Sequence, residues 1–325
     1  MQNTGLDIKP QVAEVKRYAD EIRSNIEKVI IGKTQEIDLI ISALFAGGHV
    51  LLDDVPGTGK TMLAKALAKS FDCDFGRIQF TPDLLPTDLT GINYFNPKTS
   101  DFVFRKGALF TNILLADEIN RATPRTQSGL LESMEEMQIT IDGITHRLEA
   151  PYFVIATQNP VETQGTYPLP EAQLDRFLIR LTLGYPTTRE TTDVLKRHLL
   201  NNPLEELTPV CPTSKLTEIQ ETVNKIFIHE ELLGYIVELT ERTRTSGTVI
   251  LGVSTRGAIM LAKLCRAYAA LSGREFVLPD DIQMLLPYAY SHRIIRRGGT
   301  EGDTEELLQG IIKDTKVPSE NFKGT

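Results

Sequence analysis

The chain has 325 residues, 41% of them hydrophobic and 24% charged, with 35 basic against 43 acidic side chains. That is enough apolar material for one large domain or two ordinary ones, and too little bias for a collagenous, low-complexity or disordered chain. The formal charge of −8 disfavours a broadly basic nucleic-acid surface. No uncharged apolar stretch approaches the ~20 residues of a membrane span. Residues 1–10 are polar and of mixed charge, unlike a secretory leader. Cys73, Cys211 and Cys265 lie far apart with no C-x-x-C pair, the pattern of reduced thiols in a cytoplasmic protein.

Up to residue 186, short β-like runs alternate with helical stretches, which predicts an α/β core on a parallel sheet. Strands are expected at 48–52, 75–80, 112–117, 152–157 and 177–183. Two contain unbroken apolar runs, Ile113-Leu114-Leu115-Ala116 and Phe153-Val154-Ile155-Ala156, as strands covered on both faces do. Asp142-Gly143, set between Ile139-Thr140-Ile141 and Ile144-Thr145-His146, predicts a hairpin over 137–148. From 187 to 325 the β signals nearly stop. Amphipathic helices are expected at 189–200, 215–227, 230–243, 256–271 and 279–286, a second, all-helical domain after a core over 1–186. The polar tail after Gly298 is expected to fray, and Arg293, Arg296 and Arg297 to lie on a solvated face or subunit contact. The five histidines, His49, His146, His198, His229 and His292, show no metal-ligand spacing.

The chemistry begins at Asp54-Val55-Pro56-Gly57-Thr58-Gly59-Lys60-Thr61, which leaves an apolar strand and runs through Met62 into a helix. Small residues there let backbone N–H groups curl around an anion at the positive end of the helix. Lys60 is placed for the β- and γ-phosphates and Thr61 for Mg2+. Asp54 stands where such loops usually have their first Gly. Downstream, Asp117-Glu118 closes an apolar strand, and ligands bind at the carboxyl ends of parallel strands. Asp117 fits a metal-binding acid and Glu118 a general base for water. An ordinary strand-turn-helix, and two acids opening a helix, are the plainer readings of these segments. Their coincidence favours hydrolysis of ATP, and no N-K-x-D guanine reader occurs.

Further segments follow in order: 79–91, Asp117-Glu118-Ile119-Asn120-Arg121-Ala122 with Thr126-Gln127, Ala156-Thr157-Gln158-Asn159-Pro160, 169–177 and Val253-Ser254-Thr255-Arg256. The ordered set, spanning about 29–297, resembles AAA+ ATPases and specifically the MoxR family. The resemblance implies a P-loop three-layer core, a smaller helical lid with ATP between the two, Mg2+-dependent hydrolysis and a hexameric ring. It makes Asn159 sensor 1, Arg176 an arginine finger for the neighbouring subunit, and Arg256 sensor 2, reaching the γ-phosphate from the lid. Ile31 and Gly32, just before the first helix of the fold, would border the adenine. Inserts at 91–107 and 137–148 engage substrate or partner in related rings. Chaperone-like remodelling or maturation of a protein client is implied, with a von Willebrand factor A-domain partner from another chain. A nucleic-acid-directed motor and a magnesium-chelatase-like metal-insertion ATPase stay open as alternatives.

Overall fold

The computed structural model describes residues 8–160, 165–298 and 301–318. Most of the 1–10 segment and the side chain of His198, both read from the sequence above, lie outside the described residues. Strands β1 Val50–Asp53, β2 Phe75–Gln79, β3 Ile113–Asp117, β4 Phe153–Gln158 and β5 Ile179–Leu181 form one parallel sheet in the order β2-β3-β4-β1-β5. β3 is buried throughout and β4 at all but its last residue, as unbroken apolar runs between two helical layers require.

The longer helices are α1 Lys9–Glu27, α2 Thr34–Phe45, α3 Lys60–Phe71, α4 Pro124–Glu136, α5 Thr188–Leu200, α6 Thr213–Asn224, α7 Glu230–Thr245, α8 Thr255–Leu271, α9 Pro279–Tyr290 and α10 Glu301–Asp314. Two of these depart from expectation. α1 precedes the 29–32 turn, which therefore joins two helices; its buried stripe is Val12, Val15, Ala19, Ile22 and Ile26, at helical spacing. The tail expected to fray is α10, which packs on α7 and α9. Leu308 and Ile311 are buried there, and that apolar stripe outweighs the polarity of the other face. A short antiparallel pair, Val249–Leu251 with Ile295–Arg296, also lies inside the region read as all-helical.

One buried apolar cluster runs from α1, α2, α3 and one face of the sheet into the C-terminal helices, so packing is continuous across residue 187. α8 rests on α1 and α2. A second cluster covers the other face of the sheet, between β3, β4 and α4.

Two hairpins project from the core, Gly91–Asn96 with Asp101–Lys106 and Gln138–Ile141 with Ile144–Arg147. The second turns on Asp142 and Gly143 with φ of 50° and 79°, the signs a two-residue hairpin turn needs. The hairpins touch: Asn93 donates to Asp142 at 2.8 Å, and Phe104 stacks on His146 with ring centroids 4.2 Å apart.

Buried His49, just ahead of β1, ties the sheet to α4. Its Nδ1 accepts from the Val154 N–H (3.1 Å), so Nε2 carries the proton and donates to the Met134 carbonyl (3.0 Å). Burial pushes its pKa down from 6.5 to about 4. The unfolded chain therefore binds the proton first. The neutral ring's contribution is complete above pH 6.5 and is lost as pH falls towards 4, about 3 kcal/mol in all. His292, also buried, shifts the same way. Urea unfolding is expected to show stability declining by at least this amount between pH 7 and 4, with a shallower decline in His49→Gln. A flat profile for the unaltered chain would contradict the assignment.

Candidate active site

β1 ends at Asp53 and α3 begins at Lys60; between them Gly57 and Gly59 take φ of 88° and 92°, which side chains resist. A Cβ on Gly57 would meet nothing within 4 Å, so the demand there is on backbone conformation, with open space on the side-chain face. Lys60 Nζ donates to the carbonyls of Asp54 (2.9 Å) and Val55 (3.3 Å), and Thr61 and Met62 lie in the first turn of α3. Pro56, Gly57, Thr58, Gly59, Lys60 and Thr61 are exposed or half-buried. The 29–32 turn abuts this loop: Ile30 Cδ1 is 3.6 Å from where a Cβ on Gly59 would stand. Gly32, with φ of 75°, is exposed, with the carboxylate of Glu190 from α5 standing where a Cβ would lie, and Ile31 beside it is half-buried.

Asp54 is explained by what it holds. It is 2% exposed. Its Oδ1 accepts from the Val55 N–H (3.0 Å), and its Oδ2 from the N–H groups of Leu183 (2.8 Å) and Gly184 (3.1 Å). The carboxylate that replaces the usual glycine thus fastens the segment after β5 to the start of the loop. Its three bonds satisfy the backbone donors of Val55, Leu183 and Gly184.

The two acids lie at the same carboxyl edge of the sheet. Asp117 Oδ1 accepts from the Thr157 hydroxyl and Oδ2 from Arg77, each at 2.7 Å. The same Thr157 oxygen accepts from the Glu118 N–H at 2.8 Å. Glu118 sits in the left-handed region (φ 55°, ψ 50°), a conformation that costs a non-glycine residue about 1 kcal/mol or more. Its Oε2 accepts from Gln79 (2.7 Å) and Arg121 (3.0 Å). Asn159 follows β4 directly. Thr157 and Gln79 lie within the matched segments but were assigned no role in the sequence, and Arg77 lies outside those segments. Their signal is register: Gln79 pairs with Asp117 across β2 and β3, which needs the strand order first. Behind the acids, Gln127 donates to the carbonyls of Ile119 (3.1 Å) and Tyr167 (2.9 Å), and Thr126 to that of Leu84 (2.9 Å).

The arginines are elsewhere. Arg176 pairs with Glu135 at 3.3 Å and Arg256 with the same carboxylate at 3.0 Å. Glu135 follows Met134, whose carbonyl holds His49 ahead of β1, so this cluster lies at the amino edge of the sheet. The phosphate loop leaves the carboxyl edge, and the four residues of β1 between them span about 13 Å at ~3.3 Å each. In this chain Arg256 is therefore held on the Glu135 carboxylate and away from Lys60. The reason is packing: α8 is seated on α1 and α2, and the hydroxyl at its N-cap, Ser254, bonds Asp175. Arg293, expected on a surface, is buried and pairs with Asp175 at 2.7 Å; Arg296 is half-buried and Arg297 exposed. A cleft of about 970 Å³ between β5 and helices α9 and α10 is lined by Asp53, Arg180, Tyr288 and Glu305, and residues 56–61 are not part of its wall.

The family model described as ATPase family associated with various cellular activities (AAA) matches residues 49–179, and that of the AAA lid domain residues 241–311. Chaperone MoxR1 of Mycobacterium tuberculosis is 36% identical, over 91% of this chain and 81% of its own. The chain belongs to the MoxR family of AAA+ ATPases. The uncharacterized protein YeaC of Bacillus subtilis is 49% identical over 90% of this chain and 93% of its own. The crystal structure of an inferred ATPase from Cytophaga hutchinsonii superposes with a TM-score of 0.89 at 36% identity, covering 97% of this chain and 100% of that one. The reaction is thus ATP hydrolysis, in a family that generally forms rings. Among the described residues no helix is long and apolar enough to cross a membrane.

In this MoxR ATPase, restoring the commoner glycine should do harm. Asp54→Gly removes the acceptor of the Leu183 and Gly184 N–H groups, at an expected cost of about 2–3 kcal/mol in urea unfolding. ATP affinity, read by titration, should fall with it. Unchanged stability would mean that the carboxylate fastens nothing.

Proposed function

We propose that this MoxR ATPase assembles head to tail into a hexameric ring, that each ATP site is completed by the neighbouring subunit, and that turnover remodels a protein client. The observation that carries the reading is the strand-length separation between Lys60 and the pair Arg176 and Arg256. Those arginines are 29% and 38% exposed, within reach of another chain. Groups at opposite edges of one subunit meet across a heterologous contact, and such contacts close into rings.

In the proposed site, ATP lies along residues 56–62 with its base towards Ile31 and Gly32. Lys60 exchanges the loop carbonyls for phosphate oxygens. The Thr61 hydroxyl and the Asp117 carboxylate are hard oxygen donors at one edge of the sheet, which suits Mg2+; when bound, the ion supplies charge neutralisation at the phosphates. Glu118 takes the proton of the attacking water once its bonds to Gln79 and Arg121 rearrange, and Asn159 orients that water. Thr157 holds both acids in register. Arg176 and Arg256 of the neighbour neutralise charge as the phosphoryl group transfers.

A protein client is favoured over nucleic acid by the tips of the paired hairpins. Tyr94, Phe95, Phe102 and Ile144 are exposed there, a surface suited to apolar contact.

The test is ATP turnover per subunit against protein concentration. The rate should rise with concentration. Arg176→Ala and Arg256→Ala should each lower it by roughly a thousandfold while retaining ATP affinity, and Glu118→Gln should bind ATP without turning it over. A concentration-independent rate, unmoved by Arg176→Ala, would contradict the shared site.

A further inference from the structure

The segment that carries Arg176 is gripped by a buried guanidinium that takes no part in the chemistry above. Arg293 follows α9, and its side chain is 1% exposed. Its Nε donates to Asp175 Oδ1 at 2.7 Å, and its two Nη groups donate to the carbonyls of Asp175 (3.2 Å), Leu178 (3.4 Å), Phe177 and Ala289. Two of those four carbonyls belong to the residues that immediately flank Arg176, Asp175 and Phe177, and a third to Leu178 next along the chain. The remaining carboxylate oxygen of Asp175 accepts from the Ser254 hydroxyl at 3.0 Å, and Ser254 is the N-cap of α8, two residues before Arg256. The Ser254 oxygen in turn accepts from the Gly257 N–H at 3.1 Å. Gly257 makes room for the arrangement, since a Cβ there would stand 2.9 Å from Arg293 Cδ. Asp175 is thus shared between the end of α9 and the start of α8, and both functional arginines extend from residues it fixes.

We propose that Arg293 is a positioning residue that clamps Asp175, and through it sets Arg176 and Arg256 as one preset pair for the neighbouring subunit. The inference rests on the shared-site reading and goes beyond it by naming what orients the pair. A buried charge is a costly way to fill space, and an apolar side chain would pack as well. A planar fork that reaches a carboxylate and several carbonyls at once fixes direction, which packing alone does not. Misplacing a transition-state arginine by about 1 Å costs on the order of a hundredfold in rate.

The experiment mixes two kinds of full-length chain. Lys60→Ala has no working loop but offers intact arginines; Arg293→Lys has an intact loop but a loosened pair. Alone, Arg293→Lys should keep ATP affinity and lose tenfold to a hundredfold in turnover. Mixed in equal amounts with Lys60→Ala, it should recover to about a quarter of the unaltered rate, the fraction of productive neighbours in random rings. Arg176→Ala with Lys60→Ala is run in parallel. Recovery there without recovery for Arg293→Lys would overturn the clamp alone. No recovery in either mixture would overturn the shared site, and the clamp with it. Should Arg293→Lys melt early, Gly257→Ala replaces it, because its added methyl, which also meets Val253 Cγ1 at 2.6 Å, crowds Arg293 Cδ at 2.9 Å without deleting any polar partner; the same loss and the same recovery are expected.

Discussion

A strand of four residues, β1, separates the group that would grip phosphate from the groups that would neutralise its transfer. Lys60 belongs to the carboxyl edge of the sheet; Glu135, with Arg176 and Arg256 upon it, belongs to the amino edge. A packed sheet does not shorten, so this strand-length offset between the two edges is fixed by the core. The shared site proposed above takes its second subunit and its head-to-tail polarity from this separation, which the seating of α8 on α1 and α2 helps to set. The apolar cluster from α1 and α2 into the C-terminal helices keeps α8 in that seat.

At both edges the positioning is done by a few buried polar groups with their partners in place, the condition under which such groups fix geometry. Asp54 joins the loop to the segment after β5. Thr157 holds Asp117 and Glu118 through one hydroxyl, and the left-handed backbone at Glu118 is the strain that its bond opposes. Asp175 joins the arginine segment to the lid. His49 spans the two layers near the amino edge and must stay neutral to do so, which links the integrity of the arginine cluster to pH.

Much of this was legible in the sequence. The apolar runs of β3 and β4, the Asp142-Gly143 turn and the phosphate loop each carry a local signature, because strand burial, a positive φ and an anion cradle all constrain residue type where they occur. The helix of 301–314 and α1 carried a signature too, a stripe at helical spacing, obscured by polar composition. What the sequence withheld depends on pairing between distant segments. Thr157 and Gln79 are ordinary strand residues until register sets them beside Asp117 and Glu118. Arg293 reads as one of a surface run until α9 turns it towards Asp175. Arg256 was recognisable as an arginine opening a lid helix, but the side of the sheet on which that helix rests is a property of the core, and no local pattern encodes it.

The most direct measurement is a cryo-electron-microscopy structure of assembled Glu118→Gln protein in ATP, reading the distance from each arginine to the γ-phosphates. The account predicts that Arg176 and Arg256 both lie within hydrogen-bonding distance of the nucleotide held by the adjacent chain, with Asp175 still paired to Arg293. Either arginine on the γ-phosphate of its own chain would contradict it.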